Sequence, residues 1–440
     1  MKNLRALITA LLCTLTTVTA FAAAPQARLP GRADLSKITS RADLDAVIAA
    51  TPGAPLKQAL TEHAADILAA ADRHPHVEAV IRTIESAPGS FTKVNTTPET
   101  LKKAAGGDVA IFDTLTLVST SIQNGKAHAY RGANGDPYDA AFIEHLGHIP
   151  ALESVKLVAT KIEDSWLPPL LKLRNLKSLS MEGTARGLPR NPALGDPSLA
   201  RLKALTQCPT LTSLELAYFG QATDAGLEQL AGLKNLESFT FRGSPVKGHG
   251  FAKFEGWTNL KRINFHSNTL DDEGLGYVCE KFPNLEFIKL WHSKLLTDAS
   301  AEHLKKLKKL TGIEISCAKA TAGLVKHLRE LPLEYVALEY GVNAPAADAI
   351  DSVKSIPTLR RLSMDATKFT DTDLTALVGV TQVRELSLSG LDLPNARLPQ
   401  LRAFAQLKTL TLVRYGKGYP DETQTKVKAL LPKVDVKFVQ

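Results

Sequence analysis

Apolar residues recur along this chain in a three-beat frame. One apolar position is followed three and then five residues later by two more, as in Leu285, Ile288 and Leu290. Such frames start at Phe112, Leu152, Leu176, Leu211, Leu236, Leu260, Leu285, Leu310, Leu333, Leu359, Val383 and Leu407. From Leu211 onward the steps are 25, 24, 25, 25, 23, 26, 24 and 24 residues. A period that steady predicts a solenoid, in which each repeat packs only against its neighbours. The last two apolar positions of each frame lie two residues apart, so they share one face of a short strand, with polar or mixed residues on the other. That alternation predicts a sheet with one face in the core and one in solvent, unlike the usual parallel sheet covered on both sides.

Between strands the pattern turns helical, as in Asp224-Ala225-Gly226-Leu227 with Leu230 and Leu233 returning to Leu236. Asp224, Asp298 and Asp371 each precede the next frame by twelve residues, where a short oxygen-bearing side chain is expected to cap the helix start. Eight residues after frame starts stand Thr160, Thr184, Ser244, Asn268, Ser293 and Thr367. These are suited to satisfy backbone groups where the chain leaves the strand. Two steps break the period: Phe112 to Leu152 takes 40 residues and Leu176 to Leu211 takes 35. Both insertions carry Gly-Asp-Pro (Gly135-Asp136-Pro137 and Gly195-Asp196-Pro197) and are expected as longer loops on one rim. Val434, Val436 and Phe438 alternate as a final strand.

The repeat Thr223-Asp224-Ala225-Gly226-Leu227-Glu228-Gln229-Leu230-Ala231-Gly232-Leu233-Lys234-Asn235-Leu236 resembles the leucine-rich repeat, in the helix-containing form of ribonuclease-inhibitor-like and many bacterial exported proteins. The resemblance covers roughly residues 109–440. It implies an α/β leucine-rich repeat solenoid: a curved right-handed coil with a parallel sheet on the concave face, helices on the convex face, and partner recognition as the commonest role.

Ahead of the repeats, residues 23–108 read as a helical N-terminal capping region. Ser40 caps a helix through Ile48, Thr51-Pro52 opens a stretch that ends before Pro75, Val77, Val80, Ile81 and Ile84 form a third stripe, and Thr97-Pro98-Glu99 starts a helix stopping at Gly106-Gly107. Residues 1–22 read as a signal peptide: Lys2 and Arg5, the apolar run Leu7 to Val18, then Ala20-Phe21-Ala22 with cleavage expected after Ala22. A periplasmic or secreted protein without a transmembrane anchor is expected, and a monomer.

The formal charge of +8 falls to +6 without Lys2 and Arg5, and the excess sits on the repeats. Spread so thinly, it describes a solvated, mildly basic surface and gives no reason to expect nucleic acid. Lys305, Lys306, Lys308 and Lys309 alternate with Leu304, Leu307 and Leu310 at helical spacing, which points the lysines outward with no aromatic groups interleaved. Cys208, Cys279 and Cys317 fall in different phases of different rungs and read as buried free thiols. Catalytic signatures are missing: no His-Glu-x-x-His, Cys-x-x-Cys, Gly-x-Ser-x-Gly or phosphate loop. His145 and His148, three apart, make only a weak metal pair, and Gly248-His249-Gly250 lacks the rest of a dinucleotide fingerprint. No enzyme, cofactor or metal is expected.

The sheet's open face is the informative surface. The sixth residue after each frame start gives Glu182, Ala217, Arg242, His266, Trp291, Ser316, Glu339, Asp365 and Ser389. Neighbouring columns add Arg262, Phe287, Lys289, Tyr335 and Arg361, with Tyr218, His292 and Tyr340 nearer the rim. Large aromatic and charged groups thus gather on the middle rungs, and exposed Trp, Tyr and Arg are what interface centres favour. Arg242, His266, Trp291, Phe287, Lys289, Tyr335, Glu339, Asp365 and Arg361 are therefore the candidate partner-binding residues. The reading is an exported binding module for a protein or cell-envelope polymer. The alternatives are an inhibitor of an exported hydrolase and a structural envelope protein.

Overall fold

The computed structural model describes residues 35–87, 89–120, 137–158, 162–183, 190–316, 319–339 and 345–440. The signal-peptide segment, Thr160, Thr184, Cys317, Tyr340 and Gly135-Asp136 lie outside the described residues.

In chain order the strands are β1 Ser90–Asn95, β2 Asp113–Ser119, β3 Ser154–Val158, β4 Ser178–Glu182, β5 Asn191–Gly195, β6 Ser213–Ala217, β7 Phe219–Gln221, β8 Ser238–Arg242, β9 Arg262–Asn264, β10 Phe287–Trp291, β11 Gly312–Ser316, β12 Tyr335–Leu338, β13 Arg361–Asp365, β14 Glu385–Ser389, β15 Thr409–Val413 and β16 Asp435–Val439. Fourteen of them form one sheet in chain order, while β5, from the second insertion, pairs separately with β7 of the Leu211 repeat. From β2 to β16 neighbouring strands run parallel. The final strand expected from Val434, Val436 and Phe438 is β16.

The chain divides into two compact units, residues 1–78 with 93–115, and residues 79–92 with 116–440. In the first, the helices Arg41–Ala50, Ala54–Glu62 and Glu99–Ala105 and the start of the long helix Ala64–Ser86 enclose Leu44, Leu56, Leu60, Ile67, Leu101 and Phe112. Ser40 accepts from the Asp43 amide, as its position suggested, and Gly106 closes the last helix at φ 80°. Pro75 does not end a helix here. It sits inside Ala64–Ser86, where buried Ile67 and Val77 flank it and hold the helix across the missing hydrogen bond.

In the second unit the three-beat frame governs the register. Ile288 and Leu290 stand opposite Ile313 and Ile315, and these opposite Val336 and Leu338. Every frame start is 5% exposed or less. Burying one such side chain contributes about 1.5–3 kcal/mol, which explains why the period is held so tightly. The first frame is the exception in phase. Val118, not Leu115, stands opposite Val155, so Leu115 rather than Phe112 lies level with Leu152. The seven-residue β2 begins at Asp113 and pairs with β3 through its last three residues.

Between β6 and β11 the core changes from leucine to aromatic. Phe239, Phe251, Phe254, Trp257, Phe265 and Phe282 are each 1% exposed or less. Phe251 sits edge-on to Phe239, Phe265 and Phe282, joining strand residues to the helical returns. Edge-to-face contacts of this kind add to the area buried.

The aspartates expected to cap their own helices do something else. The caps are Thr223, Asp271, Thr321 and Thr370, each accepting a backbone amide of the first turn. Asp224, one residue further in, instead takes the amides of Lys247 (3.0 Å), Gly248 (2.8 Å) and Gly250 (3.1 Å) in the next rung. Asp196 holds Thr223, Asp272 holds Thr297 and Asp298 holds Thr321 in the same way, whereas Asp371 pairs with the Arg397 guanidinium at 2.7 Å. A threonine, or Asp271 ahead of Asp272, already satisfies the local amide, so the aspartate oxygens are left to tie one rung to the following one.

The turn column behaves as predicted at Ser244 and Asn268 but not at Ser293, which is fully buried with no hydrogen-bond partner for its hydroxyl among the described residues. The Ser244 hydroxyl accepts from the Phe219 amide (3.1 Å), and Asn268 accepts from the Ser244 amide (2.9 Å) and donates to the Phe241 carbonyl. Thr367 departs from it, being exposed and turned back to Asp365 (2.7 Å). Cys208 and Cys279 are buried free thiols, and burial pushes the Cys279 thiol up to about 12. Lys306, Lys308 and Lys309 are exposed and Lys305 half-buried, beside fully buried Leu304, Leu307 and Leu310.

Candidate open-face binding site

Buried and half-exposed residues alternate along the strands, so β8 and β10 each turn three side chains away from the core. Register then sets those side chains in rows across the sheet. The first row runs Ser238, Arg262, Phe287, Gly312, Tyr335, Arg361 and Glu385. Gly312 gives this row its character. A Cβ there would meet the Phe287 ring at 2.8 Å and the Tyr335 ring at 3.6 Å. Without it, the two rings lean over β11 and stack, centroids 6.3 Å apart and planes within 8°. The Arg262 guanidinium lies 4.1 Å from the Phe287 centroid and the Arg361 guanidinium 4.8 Å from that of Tyr335. The result is a cation–ring–ring–cation stack anchored on four strands, with each cation over a ring worth about 0.5–2 kcal/mol.

The second row places Lys289 beside Glu314. Their ion pair is 2.7 Å, and the Tyr335 hydroxyl donates to the other Glu314 oxygen at 3.3 Å. Lys289 also stands 3.7 Å over the Trp291 ring. Burial, with Glu314 next to it, holds the Tyr335 hydroxyl above its ordinary pKa.

Arg242 closes a separate network at the end of β8. It pairs with Glu182 at 2.6 Å and Glu215 at 3.2 Å and lies 4.9 Å from the Tyr218 centroid. Burial opposes its charge, but Glu182, Tyr218 and Glu215 outweigh that, and its pKa is raised. His266 and His292 flank the aromatic end of β10, their rings 5.7 Å and 6.3 Å from Trp291 and 5.1 Å from each other.

The rim carries backbone strain. Tyr218, Ser267 and His292 have φ of 63°, 60° and 54°, at the frame position where Gly243 and Gly390 stand in other rungs. A non-glycine residue in this conformation costs about 1 kcal/mol or more and tends to mark functional turns.

Of the candidate residues, Phe287, Lys289, Tyr335, Arg361 and Trp291 come together with His266 on neighbouring strands. Arg242 lies two strands before Trp291, in its own glutamate network. Glu339 and Asp365 differ from the exposed pair expected. Glu339 is 5% exposed and accepts from the Ser363 hydroxyl. Burial raises its pKa against the hydroxyls of Ser363 and Ser389. Asp365 is turned to its own loop, accepting the Thr367 amide (3.0 Å) and hydroxyl.

Three residues that organise the face escaped the sequence reading. Glu314 stands at the same frame position as Lys289 one rung on, an opposite-charge pair readable from register. Gly312 and Glu215 sit at equally readable positions, but nothing in a side-chain-counting scheme values a glycine. His148, from the weak metal pair, turns to Glu144 at 3.3 Å. Among the described residues no three His, Cys, Asp or Glu groups gather as a metal site, and no helix is long and apolar enough to cross a membrane.

No family model matches this chain, and no curated protein matches it in sequence. Among solved structures it is similar to the yeast complex of Rad7 and Elc1 (14% identity, 68% of this chain and 77% of that chain covered, TM-score 0.45). It is also similar to the internalin InlF of Listeria monocytogenes (16% identity, 73% and 86% covered, TM-score 0.34). Overlaps this partial say nothing of what this chain binds.

Proposed function

We propose that this chain is an exported binding module that recognises a protein partner through the open face of its parallel sheet. One observation carries the reading: large aromatic and cationic side chains stand together on strands β9 to β13, held in position by register. Such groups contribute contact area and hydrogen bonds at low entropy cost. The strained rim at Ser267 and His292 supports it, since the fold tolerates that cost beside the same patch. A protein is favoured over a glycan because the Phe287 and Tyr335 faces are occupied by each other and by guanidiniums, and one Trp291 face by an ammonium, whereas sugar stacking needs an open face. Export rests on the N-terminal charge and apolar pattern, and amino-terminal sequencing of the mature protein should begin at Ala23.

Affinity capture from the native envelope tests the reading, comparing wild type with Trp291→Ala combined with Arg242→Ala. Loss of the wild-type partners is expected, and recovery of the same partners by both forms removes the open face from the explanation. The covered ring faces favour a second reading, in which the stack serves the sheet alone. On that reading, Phe287→Ala lowers stability and leaves partner capture intact.

A further inference from the structure

Four cations stand on or beside the middle of the open face, and two are closed by acids. Arg242 is held by Glu182 and Glu215, and Lys289 by Glu314. Arg262 and Arg361 are different. Among the described residues neither guanidinium has a hydrogen bond or an ion pair, and each is positioned by an aromatic ring instead. A guanidinium laid over a ring keeps its in-plane N–H donors available, so both arrive ordered and unfilled. The two heads also feel each other. Burial lowers the Arg262 pKa, Glu314 and Glu286 resist the fall, and Arg361 adds to it. Glu314, whose charge acts on Arg262, is committed to Lys289 and Tyr335. The two like charges stand at opposite ends of one stack, with the Phe287 and Tyr335 rings between them, and each leaves its own fork open to an anion.

We propose that Arg262 and Arg361 receive two carboxylates of an acidic protein segment, one at each end of the Phe287–Tyr335 stack that orients both guanidiniums. This rests on the open-face reading above and names the chemistry of its partner. The chemistry is charge complementarity: each carboxylate accepts the fork of one guanidinium in charge-assisted bonds, about twice as strong as neutral ones. A uronate polymer would offer the same carboxylates, but its sugar rings would find Phe287 and Tyr335 covered by each other and by Arg262 and Arg361, and one face of Trp291 covered by Lys289.

The probe is dye-labelled poly-L-glutamate, titrated with the full chain and followed by fluorescence anisotropy, with thermal unfolding as the check on each variant's fold. Arg262→Gln with Arg361→Gln is expected to raise Kd by about tenfold or more. Arg262→Lys with Arg361→Lys keeps the charge and loses the fork, so its Kd should fall between the two. Changing Lys305, Lys306, Lys308 and Lys309 to Gln removes more charge from a helix and should leave Kd unchanged. Polygalacturonate and inorganic phosphate should compete less well than unlabelled poly-L-glutamate. The two-arginine site is overturned if the double Gln variant binds as wild type does, or if the helix-lysine variant loses as much. Equal competition by polygalacturonate overturns the protein partner. If the double Gln variant binds poly-L-glutamate normally while Trp291→Ala with Arg242→Ala still loses partner capture, the two-arginine site fails and the open-face reading stands. If capture survives the Trp291 and Arg242 changes, that reading itself fails.

Discussion

Replacing Asp224 by alanine should loosen the next rung rather than its own helix. Its carboxylate takes three backbone amides there: Gly248 at 2.8 Å and Gly250 at 3.1 Å on one oxygen, and Lys247 at 3.0 Å on the other. The loop cannot simply move in to compensate. Gly250 already lies so close that a Cβ would sit 2.3 Å from the Asp224 carbonyl oxygen, and Gly248 is at φ 92°. Charge-assisted bonds at part-buried amides contribute about 1 kcal/mol each after water competes, so the loss should total about 2–4 kcal/mol. Asp224→Asn keeps one carbonyl acceptor and should cost about half as much. Hydrogen exchange reads the location and chemical denaturation the size. Faster exchange is expected at Gly248 and Gly250, with Phe251 following because its ring is locked into the aromatic core. The reasoning is refuted if protection falls at Gly226 and Leu227 while Gly248 and Gly250 stay protected. That outcome would make Asp224 an ordinary helix cap.

Other consequences concern buried groups. Burial raises the Glu339 pKa, so the folded state binds a proton more tightly than the unfolded one over the range above the ordinary value of about 4.3. Stability carried by that group is therefore full at lower pH and declines as pH rises through the folded value. Glu339→Gln should flatten that decline in denaturation midpoints measured from about pH 4 to pH 8, and an unchanged slope would exclude Glu339 as its source. Cys279, pushed up to about 12 and buried, should resist a maleimide at neutral pH in the folded protein and react once denatured. Labelling of the native protein at the rate of a free thiol would contradict its placement. Trp257 is fully buried among Phe239, Phe254 and Phe282 and donates to the Ala231 carbonyl at 2.8 Å. Trp257→Ala should cost about 3–5 kcal/mol in denaturant, and a loss under about 1 kcal/mol would show that the cluster repacks.

The apolar frame was legible because its physics is local and repetitive. A side chain that must be buried at the same level of every rung leaves a mark every 23 to 26 residues, and Leu211 to Leu407 carry it without a gap. Phe112 was misplaced by about three residues because β2 is longer than later strands, and only pairing with β3 fixes its level. Pro75 misled for the opposite reason: a local helix-breaking rule was outweighed by burial on both sides of it. The rows of the open face were within reach of counting, which is how Phe287, Tyr335 and Arg361 were brought together. Their partners were not, because a contact between residues two strands apart depends on what stands between them.

The sequence by itself determined the repeat, the parallel strands, the outward helix lysines and the gathering of aromatic and cationic groups on the middle rungs, because each follows from the period and phase of apolar positions. Tertiary structure alone decided which charges are satisfied. Glutamates close Arg242 and Lys289, Glu339 is withdrawn from solvent, Asp224 serves the following rung, and Arg262 and Arg361 are left on aromatic rings across a glycine. Periodicity fixes the level and face of a side chain, whereas the direction of its polar end depends on which oxygen or ring comes nearest in space.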